Sequence, residues 1–218
     1  MNILIIGDSW GTSSLSNDNT LSIENYMFSK GHYVFNKSLF GGSNMDSISS
    51  GITFLYGTKH LFKTDLIVWM FTEITRDRSK IDWNSVSSYD DVLKQLSNLT
   101  YKKIMKMKDL APTAKWAIIG GQAAVYEPNK YDWADLLVYD WRSEILGKTL
   151  PESQCLVFQD WLLHNIKLFG IDVLEEETKK YETIIKHMKD NKRCFPDGVH
   201  PSNAFAEKIA ERILSTCG

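Results

Sequence analysis

Six consecutive apolar residues, Leu66-Ile67-Val68-Trp69-Met70-Phe71, stand between the polar pairs Thr64-Asp65 and Thr72-Glu73. The run is too short for a core helix and does not alternate, so it reads as a β-strand covered on both faces. Further short runs with strand character occur at Ile3–Ile6, Tyr33–Asn36, Trp116–Ile119 and Cys155–Phe158. Longer stretches with helical spacing separate them. Doubly covered strands alternating with helices predict an α/β chain built on a parallel sheet with crossover helices.

The expected helices are Leu21–Lys30, Met45–Tyr56, Ser85–Leu110, Asp160–Phe169, Val173–Met188 and one from about Pro201 to Leu214. Gly31, Gly57, Pro112 and Gly170 stop the first four, and Pro201 suits a first helical position. Two stretches fit the alternation poorly. Thr72–Asn84 is polar and charged directly after the third strand. Val125–Leu150 mixes Tyr126, Tyr131, Trp133, Tyr139 and Trp141 with acids after the fourth. Ligands of open parallel sheets bind beyond the carboxyl ends of strands, where both stretches fall. We therefore expect a single domain over residues 1–218, with 125–150 as a lid or substrate-side insertion.

The totals narrow the function classes. A chain of 218 residues that is 43% hydrophobic supports one sizeable core. A net charge of −2 gives no footprint for nucleic acid or anionic membrane. The three cysteines, Cys155, Cys194 and Cys217, are far apart and lack metal or disulfide spacing. No run reaches the length of a membrane span, and the N-terminus reads as a strand rather than a signal peptide. The expectation is a soluble, cytoplasmic protein with no membrane span and no nucleic-acid partner.

The chemistry-bearing residues lie at the two ends. The first strand runs into Gly7-Asp8-Ser9-Trp10-Gly11, and the last helix is preceded by Phe195-Pro196-Asp197-Gly198-Val199-His200-Pro201. Pro196 and Gly198 mark a turn, with Gly198 free to adopt a positive φ. Pro201 pushes His200 out of the helical region, so its ring projects from a loop within reach of Asp197. Serine, histidine and an acid are the components of nucleophilic acyl transfer, in which the acid sets the tautomer and the histidine takes the serine proton. Gly7–Gly11 matches the G-x-S-x-G pattern of a nucleophile elbow, but it follows the first strand, before any sheet exists to carry an elbow. No Gly-Lys-Ser/Thr follows for a phosphate loop. Combining Asp8, Asp197 and His200 into a metallo-phosphoesterase fails for want of paired carboxylates and further histidines, and no metal or cofactor is expected. Asp8 reads as a brace for the serine loop. His32, His60, His164 and His187 stand outside any motif and read as surface or core residues.

Gly7-Asp8-Ser9 at the end of strand one and Asp197-Gly198-Val199-His200-Pro201-Ser202 before the last helix closely resemble two blocks of the SGNH (GDSL-type) hydrolase family. Asn36-Lys37-Ser38-Leu39-Phe40-Gly41-Gly42-Ser43 is similar to the second block. The resemblance covers the chain in topology and about 20 residues in motif. It implies a three-layer α/β/α fold with a five-stranded, flavodoxin-like parallel sheet. It also implies a Ser9–His200–Asp197 triad and an oxyanion hole formed by the backbone N–H groups of Ser9 and Gly41.

The chain departs from the family at the third block, where a Gly-x-Asn-Asp motif supplies an asparagine donor to the oxyanion. Here the sequence is Phe71-Thr72-Glu73-Ile74-Thr75-Arg76-Asp77. An ionised Glu73 only accepts hydrogen bonds, which leaves Thr72, Thr75, Arg76 or Asn44 as sources of the third donor. Trp10, Glu73 and Arg76 are the expected substrate contacts. The implied activity is ester hydrolysis through an acyl-enzyme, on a small-molecule or glycan ester such as a carbohydrate O-acetyl or short-chain acyl group. The other class left open by the altered third block is a weakly active or inactive domain of this type that binds a glycan or a protein partner.

Overall fold

A computed structural model describes residues 1–11, 22–154 and 159–218. Five parallel strands form one sheet in the order β2-β1-β3-β4-β5: β1 Asn2–Gly7, β2 Tyr33–Asn36, β3 Leu66–Phe71, β4 Lys115–Gly120 and β5 Leu136–Val138. This is the flavodoxin-like order, in which the chain reverses its direction of travel between β1 and β3 and leaves a crevice at their carboxyl ends. The register pairs Gly7 with Met70 and Phe71 with Gly120, so β1, β3 and β4 end side by side.

The continuous apolar runs do what their pattern demands. Ile3, Ile5, Val68, Met70, Ala117 and Ile119 point to one face, packed by α1 (Ile23–Ser29), α4 (Trp141–Leu146), α7 (Ile171–Asp190) and α8 (Asn203–Cys217). Leu4, Ile6, Ile67, Trp69, Phe71 and Ile118 point to the other, covered by α2 (Asn44–Thr58) and α3 (Tyr89–Leu110). A smaller cluster joins Ile74, Ile81 and Val86 to the first half of α3 and to Leu162 and Phe169. Three layers result, as expected.

Several boundaries moved for identifiable reasons. The expected strand Cys155–Phe158 lies outside the described residues. The fifth strand of the sheet is instead β5, inside the stretch assigned to a lid or insertion. Tyr131 packs edge-on against Trp69, and Trp133 against Trp116, so much of that aromatic content is core. The helix expected from Ser85 starts at Tyr89, because the Ser88 hydroxyl caps the Asp91 N–H. The helix expected over Asp160–Phe169 is split at Asn165 into α5 (Gln159–His164) and α6 (Ile166–Phe169). Pro201 is not a first helical residue: α8 begins at Asn203, and the N–H of the preceding Ser202 is tied to the Cys194 carbonyl at 2.7 Å. Among the described residues no helix is long and apolar enough to cross a membrane.

Candidate active site

The serine loop is set by contacts local to the end of β1. Gly7 lies against β3 so closely that a Cβ there would sit 2.5 Å from Met70 Cβ and 2.8 Å from its carbonyl oxygen. Only glycine permits that approach. The chain then turns, with Gly11 N–H donating to the Asp8 carbonyl at 3.0 Å and Trp10 N–H to Asp8 Oδ1 at 3.0 Å. Asn36, at the end of β2, donates to the Gly11 carbonyl at 2.6 Å. These bonds hold Ser9 at the crest of the turn.

The second half of the site comes from the segment before α8. Gly198 takes φ +81° in the turn, as expected for Pro-Asp-Gly. Asp197 Oδ1 accepts from the N–H groups of Val199 (2.8 Å) and His200 (2.7 Å). Its Oδ2 lies 2.6 Å from His200 Nδ1, and His200 Nε2 lies 3.0 Å from Ser9 Oγ. Partial burial pushes the Asp197 carboxyl up. The hydrogen bonds from the His200 backbone and ring and from Val199 N–H outweigh this and hold it below the ordinary carboxylate range. The structure thus brings Ser9, His200 and Asp197 into one chain of hydrogen bonds. The carboxylate is placed to keep the proton on Nδ1, which leaves Nε2 free to take one from serine.

Around this chain the expected contacts divide. Gly41 sits in an exposed turn with φ +67°, and its N–H makes no hydrogen bond among the described residues. Asn44 and Thr72, the expected alternative oxyanion donors, are both buried and bonded to each other. The Asn44 amide donates to the Thr72 carbonyl (2.8 Å) and accepts from its N–H (3.0 Å). The Thr72 hydroxyl donates to the Glu73 carboxylate at 3.2 Å. Thr75 donates to the Gln154 carbonyl. None of the three presents a donor outward.

The three expected substrate contacts are likewise internal. Trp10 is 4% exposed and packs between Trp141 (5.6 Å, edge-on) and Phe195 (6.1 Å). Burying an indole there joins the serine loop to the turn that carries Asp197. Glu73 is fully buried and paired with Arg76 Nε. Arg76 has a nearly buried side chain. Its Nη1 donates to the Gly42 carbonyl at 3.3 Å and lies 3.9 Å from Asp8 Oδ2, and its Nη2 donates to Gln122 Oε1 at 2.6 Å. Burial pushes the Asp8 carboxyl up to about 6, with the Arg76 charge offsetting part of the effect. Asp8 braces the loop and does not face the site, as its sequence context suggested. Gln122 was not anticipated. Its only sequence signal is its position directly after Gly120-Gly121, at the carboxyl end of β4. Among the described residues, no three His, Cys, Asp or Glu side chains converge as a set able to hold a metal ion.

No protein-family model and no curated protein sequence matches the chain. Solved structures similar to it over nearly its whole length include a lipase/acylhydrolase from Enterococcus faecalis. It is 16% identical with a TM-score of 0.43, over 98% of this chain and 93% of that one. A member of the lipolytic G-D-S-L family from Veillonella parvula is 15% identical with a TM-score of 0.44, over 98% and 96%. A psychrotrophic esterase from Pseudoalteromonas is 9% identical with a TM-score of 0.46, over 99% and 95%.

Proposed function

We propose that the chain is a serine hydrolase that cleaves an ester through an acyl-enzyme. The observation that carries the reading is the continuous hydrogen-bonded run Ser9 Oγ–His200 Nε2–Asp197, with distances of 3.0 Å and 2.6 Å. Ser9 Oγ attacks the acyl carbon as His200 takes its proton. The carbonyl π-pair moves onto oxygen, where the N–H groups of Ser9 and Gly41 receive it. Collapse expels the alcohol, which leaves with the proton from His200. Water then repeats the sequence on the acyl-enzyme, returning acid and free Ser9.

For the acyl group, the surface next to Gly41 is the guide. Leu39 is 40% and Phe40 68% exposed on the same loop, an apolar patch suited to a short acyl chain. The aromatics of 125–150, expected on the substrate side, are mostly packed into the core, so the alcohol moiety is left broad: a small molecule or an acetylated glycan.

A fluorophosphonate probe tests the nucleophile directly. The wild-type protein is expected to be labelled at Ser9 and to hydrolyse p-nitrophenyl acetate between about pH 6 and 9. Labelling is expected to vanish in Ser9→Ala and fall in His200→Ala. A wild-type protein that neither labels nor turns over is a binding domain built on this fold, and the hydrolase reading is then wrong.

A further inference from the structure

The guanidinium of Arg76 sorts the polar groups behind Ser9. It is anchored to the Glu73 carboxylate, the Gly42 carbonyl and Gln122 Oε1. A guanidinium only donates, so the Gln122 amide must turn its oxygen toward Arg76 and its NH₂ away. That NH₂ makes no hydrogen bond among the described residues. The rest of the residue is fixed: its carbonyl accepts from Arg142 Nη1 at 2.6 Å, and Arg142 is itself fully buried and paired with Asp140. Gln122 is half-buried. A residue fixed at both its carbonyl and its amide oxygen therefore holds one amide donor that no described residue uses.

Its neighbours are those of the nucleophile. Gly121 N–H donates to the Phe71 carbonyl at 3.1 Å, and a Cβ on Gly121 would lie 3.4 Å from Trp10 Cβ, the residue after Ser9. A single guanidinium links the Gln122 side chain to the carbonyl of Gly42, which adjoins Gly41. Thr72, Asn44 and Thr75 are fully buried and bonded to interior groups. Gln122 leaves the strand next to β3, and its side chain is one methylene longer than asparagine, which extends its reach back across that extra strand.

We propose that Gln122 Nε2 is the third hydrogen-bond donor to the oxyanion that forms when Ser9 attacks, and that Arg76 is the positioning residue that fixes the amide for this role. The assignment rests on the hydrolase reading above. In the step it serves, the Ser9 Oγ–carbon bond forms, the proton passes to His200 Nε2, and the electron pair released from the C=O bond settles on the oxygen facing Gln122.

The test is steady-state hydrolysis of p-nitrophenyl acetate by wild type, Gln122→Glu, Gln122→Ala, Arg76→Lys and the Gln122→Ala/Arg76→Lys double variant. Thermal melting and the affinity for a short alkylboronic acid, which forms a tetrahedral adduct on serine, are measured alongside. Gln122→Glu keeps the shape and replaces the donor with an acceptor. We expect both Gln122 variants to lose on the order of 10²-fold in kcat with KM within about threefold, and to lose boronate affinity in parallel. Arg76→Lys is expected to lower kcat with an intact KM, and the double variant to be no worse than Gln122→Ala, because the two residues act as a unit. Wild-type turnover with kcat unchanged in the Gln122 variants overturns the assignment and leaves the hydrolase standing. A loss confined to KM, or one that tracks a fall in melting temperature, also overturns it. A wild type that neither turns over nor labels with fluorophosphonate overturns both.

Discussion

The rings of Trp10 and Phe195 lie 6.1 Å apart, and this contact joins the two ends of the site. Trp10 follows the nucleophile, and Phe195, fully buried, begins the turn that presents Asp197 and His200. Trp141 closes edge-on against the other side of the indole. The 3.0 Å approach of His200 to Ser9 is thus maintained by a hydrophobic contact beneath it.

Removing that contact should cost stability and activity together. Trp10→Ala is expected to lower the unfolding free energy by about 3–5 kcal/mol, read by urea denaturation. Where the variant remains folded, ester turnover should fall as well, because the Asp197–His200 turn loses its floor. Trp10→Phe retains an aromatic face and should recover much of both.

The acid and base should behave differently from that floor. Asp197→Asn keeps the turn's shape but holds the wrong imidazole tautomer, so a drop of up to about 10⁴-fold in kcat is expected. Asp197 is partly exposed, and its melting temperature should move little. A variant retaining most of its activity would show that Asp197 does not orient His200.

Stability should fall as pH rises from about 4 to 6. Burial pushes both Asp8 and Asp77 up to about 6. Between the unfolded and folded values the native state holds protons that the unfolded chain has released, so raising the pH favours unfolding. Below the window both states are protonated. Above it both are ionised and the full penalty applies, about 3 kcal/mol for each group. Asp197, held low, runs the other way, and its contribution is lost only as pH falls below the ordinary carboxylate value. Urea midpoints measured across the window check this. Asp77→Asn keeps an acceptor for the Met45 N–H that Asp77 Oδ2 holds at 3.2 Å and should remove about half of the decline.

Gly7→Ala should be tolerated poorly, at a cost of about 1–3 kcal/mol. Shortening Met70 to alanine should not rescue it, because the clash is with Met70 Cβ and its backbone oxygen. Rescue by Met70→Ala would mean the strain lies farther along the Met70 side chain.

What could be read in advance follows from how local the cause is. The strands β1, β3 and β4 were visible because doubly covered strands must be apolar at every position. The strand β5 was not: three residues show no periodicity, and its neighbours are polar. Trp10, Glu73 and Arg76 were expected to face a ligand because they follow the ends of β1 and β3. The first lies in the core and the other two are buried as an ion pair. Pairing is what allows charge to be buried, and residue type alone does not reveal it.

The Asp197–His200 pair was determined by sequence alone. The two residues are three apart in a Pro-Asp-Gly turn, where backbone sterics and short-range hydrogen bonds suffice to set the geometry. The serine turn at the end of β1 is equally local. Only the tertiary structure decided that these halves meet, since Ser9 and His200 are 191 residues apart and are brought together by the parallel sheet and the Trp10–Phe195 contact. It also decided which polar groups near Ser9 are available. Asn44 and Thr72 are bonded to each other, while Arg76 holds the amide oxygen of Gln122 and leaves its NH₂ without a partner among the described residues. A side chain's hydrogen-bonding capacity is written in its type, but whether that capacity is already taken depends on neighbours that only folding supplies.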